Sequence, residues 1–299
     1  MTLVLAAVLL WSTLGVIGKT LYGLGADPLF VVTFRVLFAL GILGAGLGLV
    51  RPRLLRAPRE RLPGLALYGV VAVGANFALF FLALGHTTVA TAIVVAYSHP
   101  ALVALLAWPL LGERLDRRKL LALGLTAGGV FLVAGGYEPG ALQANLLGLG
   151  YALGNALCLA AYNLLGKRLI VRVDPWTVMF YGFLFGGGFL VALWAGKGAT
   201  FPALPLHGWL LIVALAVGPS ILAYGLYLLA LRRLEASRAA IVATLEPVLA
   251  SAWAWLALGE GMLPGQLVGG ALVIAGVLVL QARHIPGQGA LHRSATCLG

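Results

Sequence analysis

Apolar positions along this chain fall into ten long stretches, roughly 2–22, 28–50, 62–84, 87–110, 118–136, 144–166, 175–196, 206–231, 236–258 and 265–282. Charges, prolines or both mark the breaks between them. About 20 apolar residues carry a helix across the hydrocarbon core of a bilayer. Open strands cannot leave backbone groups unpaired in lipid, so each stretch predicts a transmembrane helix. Most connections are too short to hold a domain of their own. The first stretch lacks the basic flank and small-residue cleavage site of a secretory signal, and it is read as a span. The pattern therefore predicts an all-α polytopic membrane protein.

Composition leads the same way. Of 299 residues, 62% are hydrophobic and 10% charged, with mean hydropathy +1.03. Soluble domains carry roughly 25% charged residues, and a soluble surface could not accommodate so much apolar side chain. A net charge of +11 would suggest nucleic acid in a soluble protein. Here it follows from topology, because Lys and Arg gather in cytoplasmic loops, and no nucleic-acid partner is expected.

With the N-terminus in the cytoplasm, the inner loops hold Arg51, Arg53, Arg56, Arg59 and Arg61, then Arg114, Arg117, Arg118 and Lys119. Next come Lys167, Arg168 and Arg172, then Arg232, Arg233 and Arg238, with Arg283 and Arg293 in the tail. Only Lys19 and Lys197 fall outside, and Arg35 lies within the second stretch, near enough to the outer surface to snorkel. Both termini are thus expected in the cytoplasm, with 284–299 a disordered cytoplasmic tail.

The chain also repeats itself at an offset of 147. Without a gap, His99-Pro100 aligns with Glu246-Pro247, Gly112-Glu113 with Gly259-Glu260, Gly129 with Gly276, and Asp27-Pro28 with Asp174-Pro175. Residues 1–136 and 137–283 are therefore expected to be two five-helix repeats. Five is odd, so the second enters the membrane from the opposite side: ten transmembrane helices as a 5+5 inverted repeat, a recurrent plan for alternating access.

Ten spans in this duplication, with "LEPVLASAWAWLALGE" near 245–260 and "SHPALVALLAWPLLGE" near 98–113, resemble the EamA family of the drug/metabolite transporter superfamily. The chain is most similar to its bacterial exporters of aromatic and other amino acids. That resemblance implies a multi-pass protein of the bacterial inner membrane. It also implies a central cavity formed mainly by spans 1, 3, 4, 6, 8 and 9.

The candidate cavity wall follows from polar and aromatic residues at mid-membrane depth. Glu246, at the centre of the ninth span, stands apart from eight acidic residues in loops or at span ends. An ionisable group at that depth costs roughly 2.5–3.5 kcal/mol on insertion scales and normally faces protein or water. It reads either as an anchor for a substrate ammonium or a proton, or as a hydrogen-bonded packing residue. His99 is its counterpart in the fourth span, and each is followed by proline, which bends a helix locally. Asn155, Tyr162 and Asn163 share one face of the sixth span. Asn76 and Phe80 are four apart in the third, and Tyr224 and Tyr227 three apart in the eighth, after a kink expected at Pro219. Trp253 shares the face of Glu246, and the first span offers Trp11 and Ser12. Tyr97, about 200° round the helix from His99, is expected to point elsewhere. Amides and hydroxyls suit the charged ends of an amino acid, and rings suit its side chain. Interfacial anchoring and helix cross-linking are the competing roles; Trp176, Trp194 and Trp209 are read as anchors. The many glycines, as in the 41–44 and 128–129 regions, suit close helix packing.

No phosphate-cradling Gly-x-x-x-x-Gly-Lys-Ser/Thr loop is present, so direct ATP coupling is not expected. Cys158 and Cys297 suggest neither a disulfide framework nor a metal site. No cofactor, metal or catalytic group is expected. The leading reading is a secondary carrier exporting amino acids, with a multidrug or metabolite carrier as the rival and an intramembrane enzyme far behind. Two fused halves leave no need for a dimer to complete the path, and the sequence leaves monomer and dimer in the bilayer both open.

Overall fold

The computed structural model describes residues 1–84, 86, 89–133, 136–137, 146–258 and 264–281, and all regular structure among them is helical. The first stretch is two helices, α1 (Thr2–Trp11) and α2 (Leu14–Gly23), followed by α3 (Pro28–Val50). The third contains α4 (Leu62–Leu67), a π-helical segment (Tyr68–Ala75) and α5 (Asn76–Leu84). The fourth divides into α6 (Val89–Ala96) and α7 (His99–Leu111). Then come α8 (Arg117–Val133), α9 (Leu146–Ile170) and α10 (Pro175–Gly196). The eighth stretch contains α11 (Leu206–Leu215), a second π-helical segment (Ala216–Leu222) and α12 (Ala223–Leu231). The chain continues as α13 (Ala236–Ala243), α14 (Leu245–Leu258) and α15 (Pro264–Gln281). Seven helical rods among the described residues are long and apolar enough to cross a membrane: Thr2–Gly23, Pro28–Val50, Arg59–Phe80, Ala92–Leu111, Leu146–Ile170, Pro175–Gly196 and Leu206–Leu231. The stretches 118–136, 236–258 and 265–282 contain helices that are shorter or interrupted. Glu138, Glu260, Cys297, Arg283, Arg293 and the tail 284–299 lie outside the described residues.

The local chemistry explains these boundaries. α3 and α10 each start with proline in the first turn, where its missing N–H costs nothing. Each is capped by the preceding aspartate: Asp27 accepts from the amides of Leu29 and Phe30 at 2.8 and 3.2 Å, and Asp174 from Trp176 at 3.0 Å. The two caps stand 147 residues apart, and the two π-helical segments match at that offset to within one residue. At Pro219 the expected kink is a π-helical turn. Proline cannot donate back along the helix, and the Ser220 hydroxyl bonds the Leu215 carbonyl five residues earlier at 3.0 Å.

Three mid-span breaks share a device. Hydroxyls of Ser12 and Thr13, of Ser98, and of Thr244 each donate to a carbonyl three residues back, at 2.6–2.8 Å. Such side-chain bonds compete with the backbone ladder and bend helices. The breaks at Tyr97–Ser98 and Thr244 again differ by 147 in position, and Pro100 and Pro247 follow them.

The exterior is apolar, as lipid contact requires: Leu49, Val50, Leu146 and Leu206 are largely exposed. Inside, glycine permits close helix approach. A Cβ at Gly129 of α8 would lie 2.6 Å from the Gly269 carbonyl of α15, and one at Gly186 of α10 would lie 2.6 Å from the Gly69 carbonyl. Gly276 also lies on the α8–α15 contact, and Gly44 faces the Phe180 ring, whereas Gly41 and Gly128 meet nothing within 4 Å. Trp194 and Trp209 sit in an aromatic cluster with Phe30, Phe34 and Phe201, while Trp176 packs over Gly225. One buried polar joint ties the end of α7 to the start of α13. The Glu113 carboxylate accepts from the Ala236 amide at 2.6 Å, from the Ser237 amide at 3.2 Å and from the Ser237 hydroxyl. Lys119 bridges it at 3.6 Å and Glu235 at 3.1 Å.

Candidate functional site

The mid-span breaks border one cavity of about 220 Å³. α1 brings Trp11 and α5 brings Asn76, Phe77 and Phe80. The α6–α7 break supplies Tyr97 and His99, and α9 supplies Asn155, Tyr162 and Asn163. Tyr224 and Tyr227 come from α12 and Glu246 from α14. A regular helix would keep its carbonyls to itself. Here the disturbed turn at Pro219 offers one to the site, and the Trp11 indole N–H donates to the Pro219 carbonyl at 3.0 Å.

One wall is aromatic. Trp11 lies 5.3 Å from Tyr224 and 5.2 Å from Tyr227, and Tyr162 lies 5.3 and 5.7 Å from the same two rings, centroid to centroid. Ring faces in this arrangement attract cations as well as apolar groups. The remaining wall is polar. Asn155 donates to the backbone carbonyl and the side-chain oxygen of Asn76, both at 2.7 Å. Tyr227 donates to the Asn163 side-chain oxygen, and Asn163 donates to the Leu159 carbonyl at 2.9 Å. His99 Nδ1 lies 3.1 Å from the Ala96 carbonyl. That contact makes Nδ1 a donor, which in the neutral imidazole leaves Nε2 as the acceptor. The Tyr162 hydroxyl is buried on this wall with no hydrogen-bond partner among the described residues. Glu246 is half-buried and shares the cavity wall with Tyr97. Among the described residues no three His, Cys, Asp or Glu side chains converge as metal ligands would.

Of the residues singled out from sequence, Trp11, Asn76, Phe80, His99, Asn155, Tyr162, Asn163, Tyr224, Tyr227 and Glu246 all line this cavity. Ser12 and Trp253 do not. They pair with one another, the Trp253 indole donating to the Ser12 hydroxyl at 3.0 Å, and Trp253 is 38% exposed. Tyr97 reverses the expectation that it points away. The 200° separation from His99 assumes one continuous helix, and the break at Tyr97–Ser98 resets the phase. Phe77, also missed, is a wall residue beside Asn76. Arg35 does not snorkel either. It is 5% exposed, with its guanidinium carbon 4.4 Å from the centroid of the Phe77 ring.

Comparison with known proteins agrees with this architecture. The model of the EamA-like transporter family matches residues 1–135 and 146–281. An uncharacterized transporter of Archaeoglobus fulgidus is 30% identical over 284 residues, 93% of this chain and 94% of that protein. A protein of Streptantibioticus cattleyicolor named as a probable terminal-alkyne amino-acid exporter is 29% identical, over 91% of this chain and 87% of its own. An S-adenosylmethionine/S-adenosylhomocysteine transporter of Chlamydia trachomatis is 28% identical, over 89% and 84%. A solved crystal structure matches with TM-score 0.81 and 24% identity, covering 93% of this chain and 94% of that one. At that identity the likeness is one of fold.

Proposed function

The chain belongs to the EamA-like transporter family, and from that premise we propose that it exports amino acids, aromatic ones among them, across a bacterial inner membrane. The observation that carries this reading is the cavity itself. An aromatic wall of Trp11, Tyr162, Tyr224 and Tyr227 faces amides, a histidine and a carboxylate at mid-membrane depth. Rings receive the side chain, and Glu246 and the amides receive the charged end. A volume of about 220 Å³ falls below the roughly 300–1,000 Å³ of pockets for drug-sized ligands. It suits a single amino acid better than a multidrug cargo.

Movement is by alternating access between two inverted five-helix halves, 1–136 and 137–283. The matched aspartate caps, π-helical segments and mid-span breaks at one offset support that plan. Both termini lie in the cytoplasm, where the basic loops place them, and one chain completes the path. A second reading, a carrier of S-adenosylmethionine-like metabolites, is favoured by the aromatic wall, which suits a sulfonium. Such a ligand also carries an α-amino-acid group, but needs a wider cavity.

The test is counterflow in liposomes, with labelled phenylalanine challenged by unlabelled amino acids, S-adenosylmethionine and organic cations. Saturable exchange competed by amino acids is the expected result. No phenylalanine exchange by verified folded protein refutes the aromatic reading, and competition by S-adenosylmethionine alone moves the second reading to the front.

A further inference from the structure

The acidic group on the cavity wall is Glu246, and no wall residue carries a permanent positive charge. A buried cation stands one layer behind the wall. Arg35 lies on α3, seven residues from its start at Pro28, about 10 Å along the helix at 1.5 Å per residue. It is 5% exposed, and its buried Nε has no acceptor. No hydrogen bond or ion pair joins its guanidinium to another described residue. Its contact is with the Phe77 ring, which also borders the cavity. Glu246 and Tyr224, both wall residues, lie within electrostatic reach of it.

A cation at this depth is normally paired with an anion or a carbonyl. The guanidinium carbon lies over the Phe77 ring, and Nε, part of a planar fork of five N–H donors, has no acceptor among the described residues. That fork matches a carboxylate two bonds at a time, which a lysine ammonium does not. The wall therefore contains the complement of one half of a zwitterion at Glu246 and the aromatic rings, and the complement of the other half stands one layer behind it at Arg35.

We infer that Arg35 is the carboxylate-recognising residue of this cavity, so that the transported ligand carries a carboxylate as well as a group held by Glu246 and the rings. This rests on the amino-acid reading above and sharpens it: amines without a carboxylate are poor cargo. Sequence alone does not reveal the role, because an arginine seven residues inside a span has the reach to snorkel.

The experiment compares L-phenylalanine, 2-phenylethylamine and 3-phenylpropionate, which share a ring and differ only in their charged groups. Their binding to purified wild-type, Arg35→Gln and Arg35→Lys protein is measured calorimetrically, with folding verified by monodisperse elution and melting temperature. Arg35→Gln is expected to weaken phenylalanine by about tenfold or more, the scale of losing a hydrogen bond to a charged group, and not to weaken 2-phenylethylamine. Arg35→Lys should lie between. Unchanged phenylalanine affinity, or equal loss for phenylalanine and the amine, overturns the inference and leaves the amino-acid reading standing. Wild-type binding of phenylpropionate but not phenylalanine, abolished in Arg35→Gln, keeps Arg35 and removes the amino-acid reading. Wild-type binding of the amine alone, or of none of the three, removes both. If Arg35→Gln does not fold, Arg35→Lys decides: selective loss of phenylalanine supports the role, and its retention overturns it.

Discussion

Replacing Glu113 by alanine should be among the most destabilising single changes outside the membrane core. The carboxylate is 8% exposed and accepts from two backbone amides and one hydroxyl at the start of α13, with Lys119 3.6 Å away. Alanine leaves the Ala236 and Ser237 amides without their acceptor, at about 1–3 kcal/mol each, and removes a negative charge from the positive end of a helix. Lys119 keeps Glu235 at 3.1 Å, so its charge is not stranded. The sum is about 3–5 kcal/mol, from the two unpaired amides and the lost charge at the helix start. Glu113→Gln retains one amide acceptor and an N–H for the Ser237 hydroxyl, and should cost about 1–2 kcal/mol. At about 2–4 °C per kcal/mol for a chain of this order of size, alanine lowers the melting temperature by roughly 6–20 °C. The assay is thermal unfolding in detergent followed by tryptophan fluorescence at one fixed scan rate, because membrane-protein unfolding is commonly irreversible. A double-mutant cycle with Ser237→Ala isolates the pairwise part. If Glu113→Ala melts within about 2 °C of wild type, the joint between α7 and α13 does not depend on this carboxylate and the reasoning is wrong.

Other outcomes follow from the same structure. Glu246→Gln should impair transport more than folding; wild-type transport rates over a range of pH would remove any need for charge at that position. Gly129→Val puts a side chain where a Cβ already lies 2.6 Å from the Gly269 carbonyl, forcing α8 and α15 apart at a cost of about 1–3 kcal/mol or more. Gly128→Ala, with nothing within 4 Å, should leave the melting temperature unchanged, and equal effects at the two positions would contradict the packing described. Asn155→Ala removes both bonds to Asn76; it should cost about 1 kcal/mol of stability and raise KM in counterflow, whereas an unaltered KM would assign the pair to packing alone.

How far the site could be read from sequence depended on whether a helix stayed regular. Lipid forces backbone groups to be satisfied within the chain, so long apolar stretches could only be helices and their charged breaks could only be loops. The sequence offset paired His99 with Glu246, which both line the cavity, and ordinary helical spacing gathered Asn155, Tyr162 and Asn163 on one face of α9, which the structure leaves unbroken. Those arguments concern one helix at a time. Where Ser12, Ser98 and Thr244 divert the ladder, helical phase no longer carries across the break, and Tyr97 turned inward against a calculation that was correct for a straight helix. Ser12 and Trp253 satisfied each other instead of facing the cavity, a contact between residues far apart in sequence that spacing cannot encode. Arg35 had the length to reach water; whether it did so depended on the Phe77 ring, contributed by another helix. Burial in lipid and helical period are properties of the sequence, but which side chain meets which across helices is fixed only when the helices pack.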